Sequence, residues 1–288
     1  MSRIFEALQR SESERSGESF PLPSEIPTQL LQSAVPAEPV AAEFPTLRVS
    51  VSSASRLVSL TSKESLGAEK FRFLGVRLRQ LQQARQLRKV LVTSTIAEEG
   101  KSLVSANLAT TLARRQQQRV LLIDGDLRRP VLERQFGLGK LAGISEWLRD
   151  DSSVLGNIYH LEGPGFWFMP AGHPPENPLE LMQSGRLAEL FEQLTSRFDW
   201  VIIDSPPVLP LADTSVWARL ADGVLLVARE GKTEKKELQR GLKALEQANL
   251  LGVVLNSCSS ADHSNYYQRY GNAGATPQNG NGRVEEQS

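Results

Sequence analysis

Short apolar runs and longer amphipathic stretches alternate through most of the chain. Runs with the length of buried strands are Lys89–Ser94, Arg119–Asp124, Phe166–Met169, Trp200–Asp204, Gly223–Ala228 and Gly252–Leu255. Between them the apolar residues return at helical spacing. Phe71, Leu74, Leu78 and Leu81 predict a helix from Glu69 to about Gln86, and Leu103–Arg115, Arg186–Thr195, Thr214–Leu220 and Lys235–Ala248 predict four more. Strands that are apolar on both faces and alternate with helices predict an α/β fold, with a mostly parallel sheet covered on both sides.

The flanks follow a different pattern. Residues 1–10 can form one short amphipathic helix with Ile4, Phe5 and Leu8 on one side, too short to persist alone. From Ser11 to about Ala54 the chain turns to Ser, Glu, Pro and Ala, and Pro21, Pro23, Pro27, Pro36, Pro39 and Pro45 interrupt any regular element. The predicted organisation is a short helix and disordered tether over 1–54, a folded domain over 55–260, and a flexible tail over 261–288.

Composition narrows the function. Lys plus Arg and Asp plus Glu stand at 33 each in 288 residues, so no net field draws nucleic acid or an anionic surface. Cys258 is the only cysteine, which rules out an intrachain disulfide, and His160, His173 and His263 are too scattered to suggest a metal triad. No apolar run reaches the roughly 18 residues of a membrane span, and the start lacks a signal-peptide core. A cytoplasmic protein is expected, peripheral to a membrane only through a partner.

The chemistry gathers at strand ends. Glu98-Glu99-Gly100-Lys101-Ser102-Leu103 follows one strand and opens a helix, the setting of a phosphate-binding loop. There the helix-start amides and Lys101 would hold the phosphates of ATP, and the Ser102 hydroxyl would bind Mg2+. The full pattern has a glycine five residues before Gly100, where this chain has Thr95. Two further strands stop at carboxylates, Asp124-Gly-Asp126 and Asp204. Carboxylates so close repel one another unless a cation lies between them. One such feature alone also describes an ordinary capped helix or polar turn; the set together describes a nucleotide site.

The succession of Walker-A-like loop, Leu-Leu-Ile-Asp124-Gly-Asp126-Leu-Arg128-Arg-Pro130 and Val-Ile-Ile-Asp204-Ser-Pro-Pro207 resembles the bacterial tyrosine kinases of capsule and exopolysaccharide synthesis, in their free-standing cytoplasmic form. The stretch Met169-Pro-Ala-Gly172-His-Pro-Pro175-Glu-Asn177-Pro178-Leu-Glu-Leu181 is similar to another motif of that family. Septum-placing and partitioning ATPases share the loop but carry a signature lysine where this chain has Ile96. That nucleotide-switch reading is the alternative, beside a non-catalytic ATP-binding scaffold.

The resemblance implies a P-loop fold and an ATP- and Mg2+-dependent protein-tyrosine kinase. Asp124 would help deprotonate the acceptor hydroxyl, Asp124, Asp126 and Asp204 would hold the metal, Arg128 would contact the nucleotide and Asn256 its adenine. It implies a membrane-embedded polysaccharide co-polymerase as activator, a homo-oligomer, and a tyrosine phosphatase that resets the tail. In the family's oligomer motif Glu69 and Arg72 match, whereas Gly75 stands where a second arginine is usual and Arg77 comes two places later. Three of the four tyrosines, Tyr266, Tyr267 and Tyr270, cluster in a tail of otherwise disorder-prone composition, where aromatic residues are normally scarce. They are the expected phosphate acceptors, modified in trans.

Overall fold

The computed structural model describes residues 44–114, 118–149, 154–210 and 212–258. Its centre is an eight-stranded sheet built from β1 (Thr46–Arg48), β2 (Lys89–Ser94), β3 (Val120–Asp124), β4 (Tyr159–Glu162), β5 (Phe166–Met169), β6 (Trp200–Asp204), β7 (Gly223–Arg229) and β8 (Leu250–Asn256). They lie in the order β1-β4-β5-β3-β6-β2-β7-β8, every neighbouring pair parallel except β4–β5.

All six apolar runs are strands, shifted by two residues at most. β1 and β4 were not expected from the sequence. They are short and pair with each other at one margin of the sheet, and of β4 only Leu161 is buried, so neither carries an apolar run to reveal it. β1 also moves a boundary. Residues 44–54, assigned to the tether for their prolines, include a strand of the sheet and the buried Phe44, whose ring meets Trp167 and Phe198 at centroid distances of 6.1 and 6.0 Å. The folded unit therefore reaches back at least to Phe44, not to residue 55.

Helices α1 (Val58–Thr61), α2 (Leu66–Ala84) and α3 (Lys101–Ala113) cover one face of the sheet together with α4 (Leu132–Gln135). The core on that side includes Phe136, set edge-on to Phe166 and Phe168 with centroids 5.7 and 5.5 Å away. The other face is covered by α5 (Ile144–Arg149), α6 (Pro178–Met182), α7 (Arg186–Arg197), α8 (Asp213–Leu220) and α9 (Lys235–Ala244), packed around Phe191 and Trp217. Helix α2 starts three residues earlier than predicted because Ser65 caps it, its hydroxyl accepting from the Ala68 amide at 3.2 Å. Helix α9 ends at Ala244, ahead of the predicted Ala248, where the Leu245 amide bonds back to Gly241 and Leu242. Gly75, the departure on α2, is buried against Thr111 of α3.

Among the described residues no helix is long and apolar enough to cross a membrane.

Candidate active site

Parallel strands deliver their C-terminal ends to one edge of the sheet, where ligands of α/β folds bind. Here β2 lies between β6 and β7, and β3 lies beyond β6. Asp124 and Asp204 are register partners across β3–β6, and Val92 faces Asp204 across β2–β6. The end of β2 feeds the loop that opens α3. Three strands thus bring Lys101 and the aspartates together from positions up to about a hundred residues apart in the chain.

The loop is a formed anion cradle. Gly100 caps α3 at φ +95°, where a side chain would be strained, and a β-carbon there would lie 2.1 Å from the Asn256 amide nitrogen. Glu98 precedes it, also left-handed at φ 64°. Free amides at the first turn of α3 supply the donors and the helix dipole supplies the sign. Leu103 sits half-buried in that first turn.

Lys101 Nζ lies 3.0 Å from Asp126 Oδ2 and 3.3 Å from Ser102 Oγ. Burial opposes its charge, but Asp204, Asp126 and Asp124 outweigh burial and hold the ammonium above its ordinary range. Asp124 is fully buried. Its Oδ2 accepts from the amides of Val131 and Leu132 at 3.2 and 3.1 Å, and its Oδ1 from the Asp126 amide at 3.3 Å. Burial, reinforced by Asp204, pushes its carboxyl well up despite those bonds.

Asp204 is equally buried and is also pushed up by desolvation, against the pull of Lys101. Its Oδ1 lies 3.2 Å from Ser105 Oγ; its Oδ2 is buried with no hydrogen-bond partner. Gly125 joins the two acidic positions of the β3 turn. Its amide donates to the Asp204 carbonyl at 2.7 Å, and a β-carbon would lie 2.7 Å from that oxygen and 2.9 Å from the Trp217 ring.

Three predicted residues occupy places the sequence did not suggest. Arg128 is clamped by Asp213 of α8, with Nε to Oδ2 at 2.6 Å and Nη2 to Oδ1 at 3.1 Å. The Glu99 carboxylate is fully buried and turned away from the helix start, toward Thr95, Ile96 and Thr233. Asn256 reaches the loop, its Nδ2 donating to the Glu99 carbonyl at 2.9 Å. Sequence reasoning missed Ser105, Asp213 and Thr233, which belong to no motif and are identified by proximity alone. Tyr266, Tyr267 and Tyr270 lie outside the described residues.

Among the described residues no three carboxylate, histidine or cysteine side chains converge as a metal cage. The donor set still fits a hard divalent ion that keeps much of its water: the Ser102 hydroxyl and the orphaned Asp204 oxygen are both at hand. Asp126, the third expected metal holder, is paired with Lys101.

A lysine at the head of a buried helix, beside carboxylates at the ends of neighbouring parallel strands, defines a P-loop nucleotide-binding protein. Residues 90–272 match the CobQ/CobB/MinD/ParA nucleotide-binding domain family. The tyrosine-protein kinase YwqD of Bacillus subtilis (strain 168) is 35% identical over 217 residues, which is 73% of this chain and 89% of that protein. The tyrosine-protein kinase ptk of Acinetobacter johnsonii is 40% identical over 169 residues, 58% of this chain but 23% of that much longer one. Among solved structures, the kinase domain of Escherichia coli tyrosine kinase ETK superposes with a TM-score of 0.66 at 31% identity, covering 71% of this chain and 82% of that domain. The chain belongs to the bacterial tyrosine-protein kinases, a branch of that nucleotide-binding family.

Proposed function

We propose that the protein transfers the γ-phosphoryl group of ATP to tyrosine hydroxyls, and that its own Tyr266, Tyr267 and Tyr270 are acceptors when presented by a neighbouring copy. The observation that carries the reading is the Lys101 ammonium held among three strand-end aspartates, one with an unpaired buried oxygen. Magnesium would supply charge neutralisation at the phosphates when bound, with Ser102 and Asp204 as its direct or water-mediated holders and Asp126 beside them.

The chain's own residues do the rest. Amides of Gly100 to Leu103 and the Lys101 ammonium orient the phosphates and stabilise charge that builds as the phosphorus–oxygen bond to the leaving diphosphate breaks. The acceptor oxygen bonds to phosphorus, and its proton passes to Asp124. A tyrosine hydroxyl titrates near pH 10, so an ordinary carboxylate accepts its proton only as transfer proceeds. Burial raises the Asp124 carboxyl, which favours its taking up the proton in that step.

Membrane recruitment belongs to the same proposal. The Acinetobacter relative carries the matched segment inside a far longer chain. Here an activator of polysaccharide export would supply the remaining parts as a separate membrane protein, and a phosphatase would reset the tail. Residues 1–10 are one candidate contact with that membrane partner.

The direct test is phosphopeptide analysis of full-length protein incubated with ATP and magnesium, beside Lys101→Met and a Tyr266/Tyr267/Tyr270→Phe triple variant. Phosphotyrosine on the tail, absent from both variants, is the expected result. Hydrolysis of ATP without phosphotyrosine, even with an activator's cytoplasmic segment present, favours the nucleotide-switch alternative.

A further inference from the structure

Glu99 is an acidic residue immediately before the phosphate loop's Gly-Lys, and its side chain is fully buried. Thr95 Oγ1 lies 2.8 Å from both of its oxygens, the Ile96 amide donates to Oε2 at 2.9 Å, and the Thr233 hydroxyl donates to Oε1. Thr233 is itself fixed, accepting from the Arg229 amide at 2.7 Å. One carboxylate thus ties together the end of β2, the phosphate loop and the β7–α9 connection. The backbone carbonyl of the same residue accepts from Asn256 at the end of β8.

Thr95 occupies the position where the usual loop has glycine, and the neighbouring helix accommodates it. A β-carbon on Gly241 of α9 would come within 2.2 Å of Thr95 Cγ2. The threonine methyl therefore fills the hollow left by a helix glycine, while its hydroxyl meets Glu99.

We propose that Glu99 is a positioning residue which, with Thr95 and Thr233, holds the phosphate loop in its binding shape from α9, and that Gly241 is the seat that makes Thr95 possible. The proposal rests on the reading of Gly100–Lys101–Ser102 as the phosphate site. Preformed loops bind more tightly because their ordering entropy is spent in folding. In this chain the fold supplies that order through a buried polar brace instead of a glycine turn. Displacement of α9 or of the Arg229–Thr233 turn would act directly on the phosphate loop.

The measurement is calorimetric titration of the full chain with magnesium-ADP. Loss of hydrogen bonds to a buried carboxylate, with the Ile96 amide left orphaned, is expected to weaken binding about tenfold or more in Glu99→Ala. Glu99→Gln is expected to recover most of that loss, since both threonine hydroxyls can turn to accept from its amide.

Gly241→Ala gives the sharper reading. In a helix this change ordinarily stabilises; here it is expected to weaken magnesium-ADP binding, because the new methyl strikes Thr95. Thr95→Ser removes that methyl and keeps the hydroxyl, so the Thr95→Ser, Gly241→Ala double variant should bind as tightly as Thr95→Ser alone. This pair stays informative even if Glu99→Ala does not fold. If Gly241→Ala and Glu99→Ala bind like the wild type while Lys101→Met does not, the brace is overturned and the nucleotide site stands. If the wild type itself does not bind magnesium-ADP, the nucleotide reading falls and the proposal falls with it.

Discussion

The two sides of the site are built on opposite principles. On the loop side, the buried Glu99 meets hydroxyl and amide donors on both of its oxygens. On the strand side, burial pushes up both Asp124 and Asp204, with Asp204 adding to the first and Asp126 to the second, and one Asp204 oxygen has no partner. The first arrangement is what a stable fold requires, since a half-satisfied buried network is destabilising. The second is destabilising by itself and becomes favourable when a cation and phosphates arrive. Both groups are equally buried, so burial alone does not mark function; unsatisfied burial does.

The largest expected effect tests whether the strand side is a working site. Lys101→Met removes the cation that lies among the three aspartates and should lower phosphoryl transfer about a thousandfold, with weakened nucleotide binding. It should also raise the tendency of Asp204 and Asp124 to stay protonated, because Lys101 is a group that holds them down. Single-turnover transfer with labelled ATP separates the two outcomes. Retained transfer would mean that the lysine is only a structural counter-ion.

Asp124→Asn comes next. A general base contributes about a hundredfold to ten-thousandfold, and this change keeps the side chain's size and an oxygen for the Val131 and Leu132 amides, giving up only the bond from the Asp126 amide. Transfer should fall within that range while magnesium-ADP affinity changes little, by rapid quench and calorimetry respectively. An equal loss in both would reassign Asp124 to the binding of metal.

These residues also show what the sequence could reveal. The six principal strands were legible because each is a largely apolar run, and the aspartates that end β3 and β6 came with them. β1 and β4 were hidden because strands of three and four residues with at most one buried side chain have no period to detect. Glu99 was legible as part of a motif but not as a buried brace, since Thr233 is 134 residues away. The Arg128 pairing was hidden for the same reason: its partner Asp213 lies 85 residues downstream and follows no motif. Motifs identify which residues meet a ligand far better than which residues meet each other.

The Arg128–Asp213 pair provides an internal control for the comparison, being a satisfied pair close to the strand side. Asp213 is 2% exposed by side chain and Arg128 37%. Removing the arginine strands a buried carboxylate, so Arg128→Ala should destabilise by about 2 kcal/mol, less than a wholly buried pair because the guanidinium is partly in water. Asp213→Ala leaves an arginine that can turn to solvent and should be milder. Denaturant unfolding reads this asymmetry. A loss of magnesium-ADP affinity in Arg128→Ala larger than that in Asp213→Ala would return Arg128 to the nucleotide site.

The smallest effect, and the most diagnostic, is the stability of Asp204→Asn without ligand. Because the folded-state pKa of Asp204 is raised, its contribution to stability is complete below its unfolded value near 3.8 and is lost as pH rises through the folded value. Asparagine has no such loss. The two proteins should therefore melt alike in acid, and the variant should melt progressively higher than the wild type as pH increases toward neutral. Magnesium with ADP should reverse the order, because only the wild type gains from a cation beside the orphaned oxygen. A variant that melts lower at every pH would mean that the Asp204 carboxylate is held by partners as complete as those of Glu99, and the contrast between the two sides of the site would disappear.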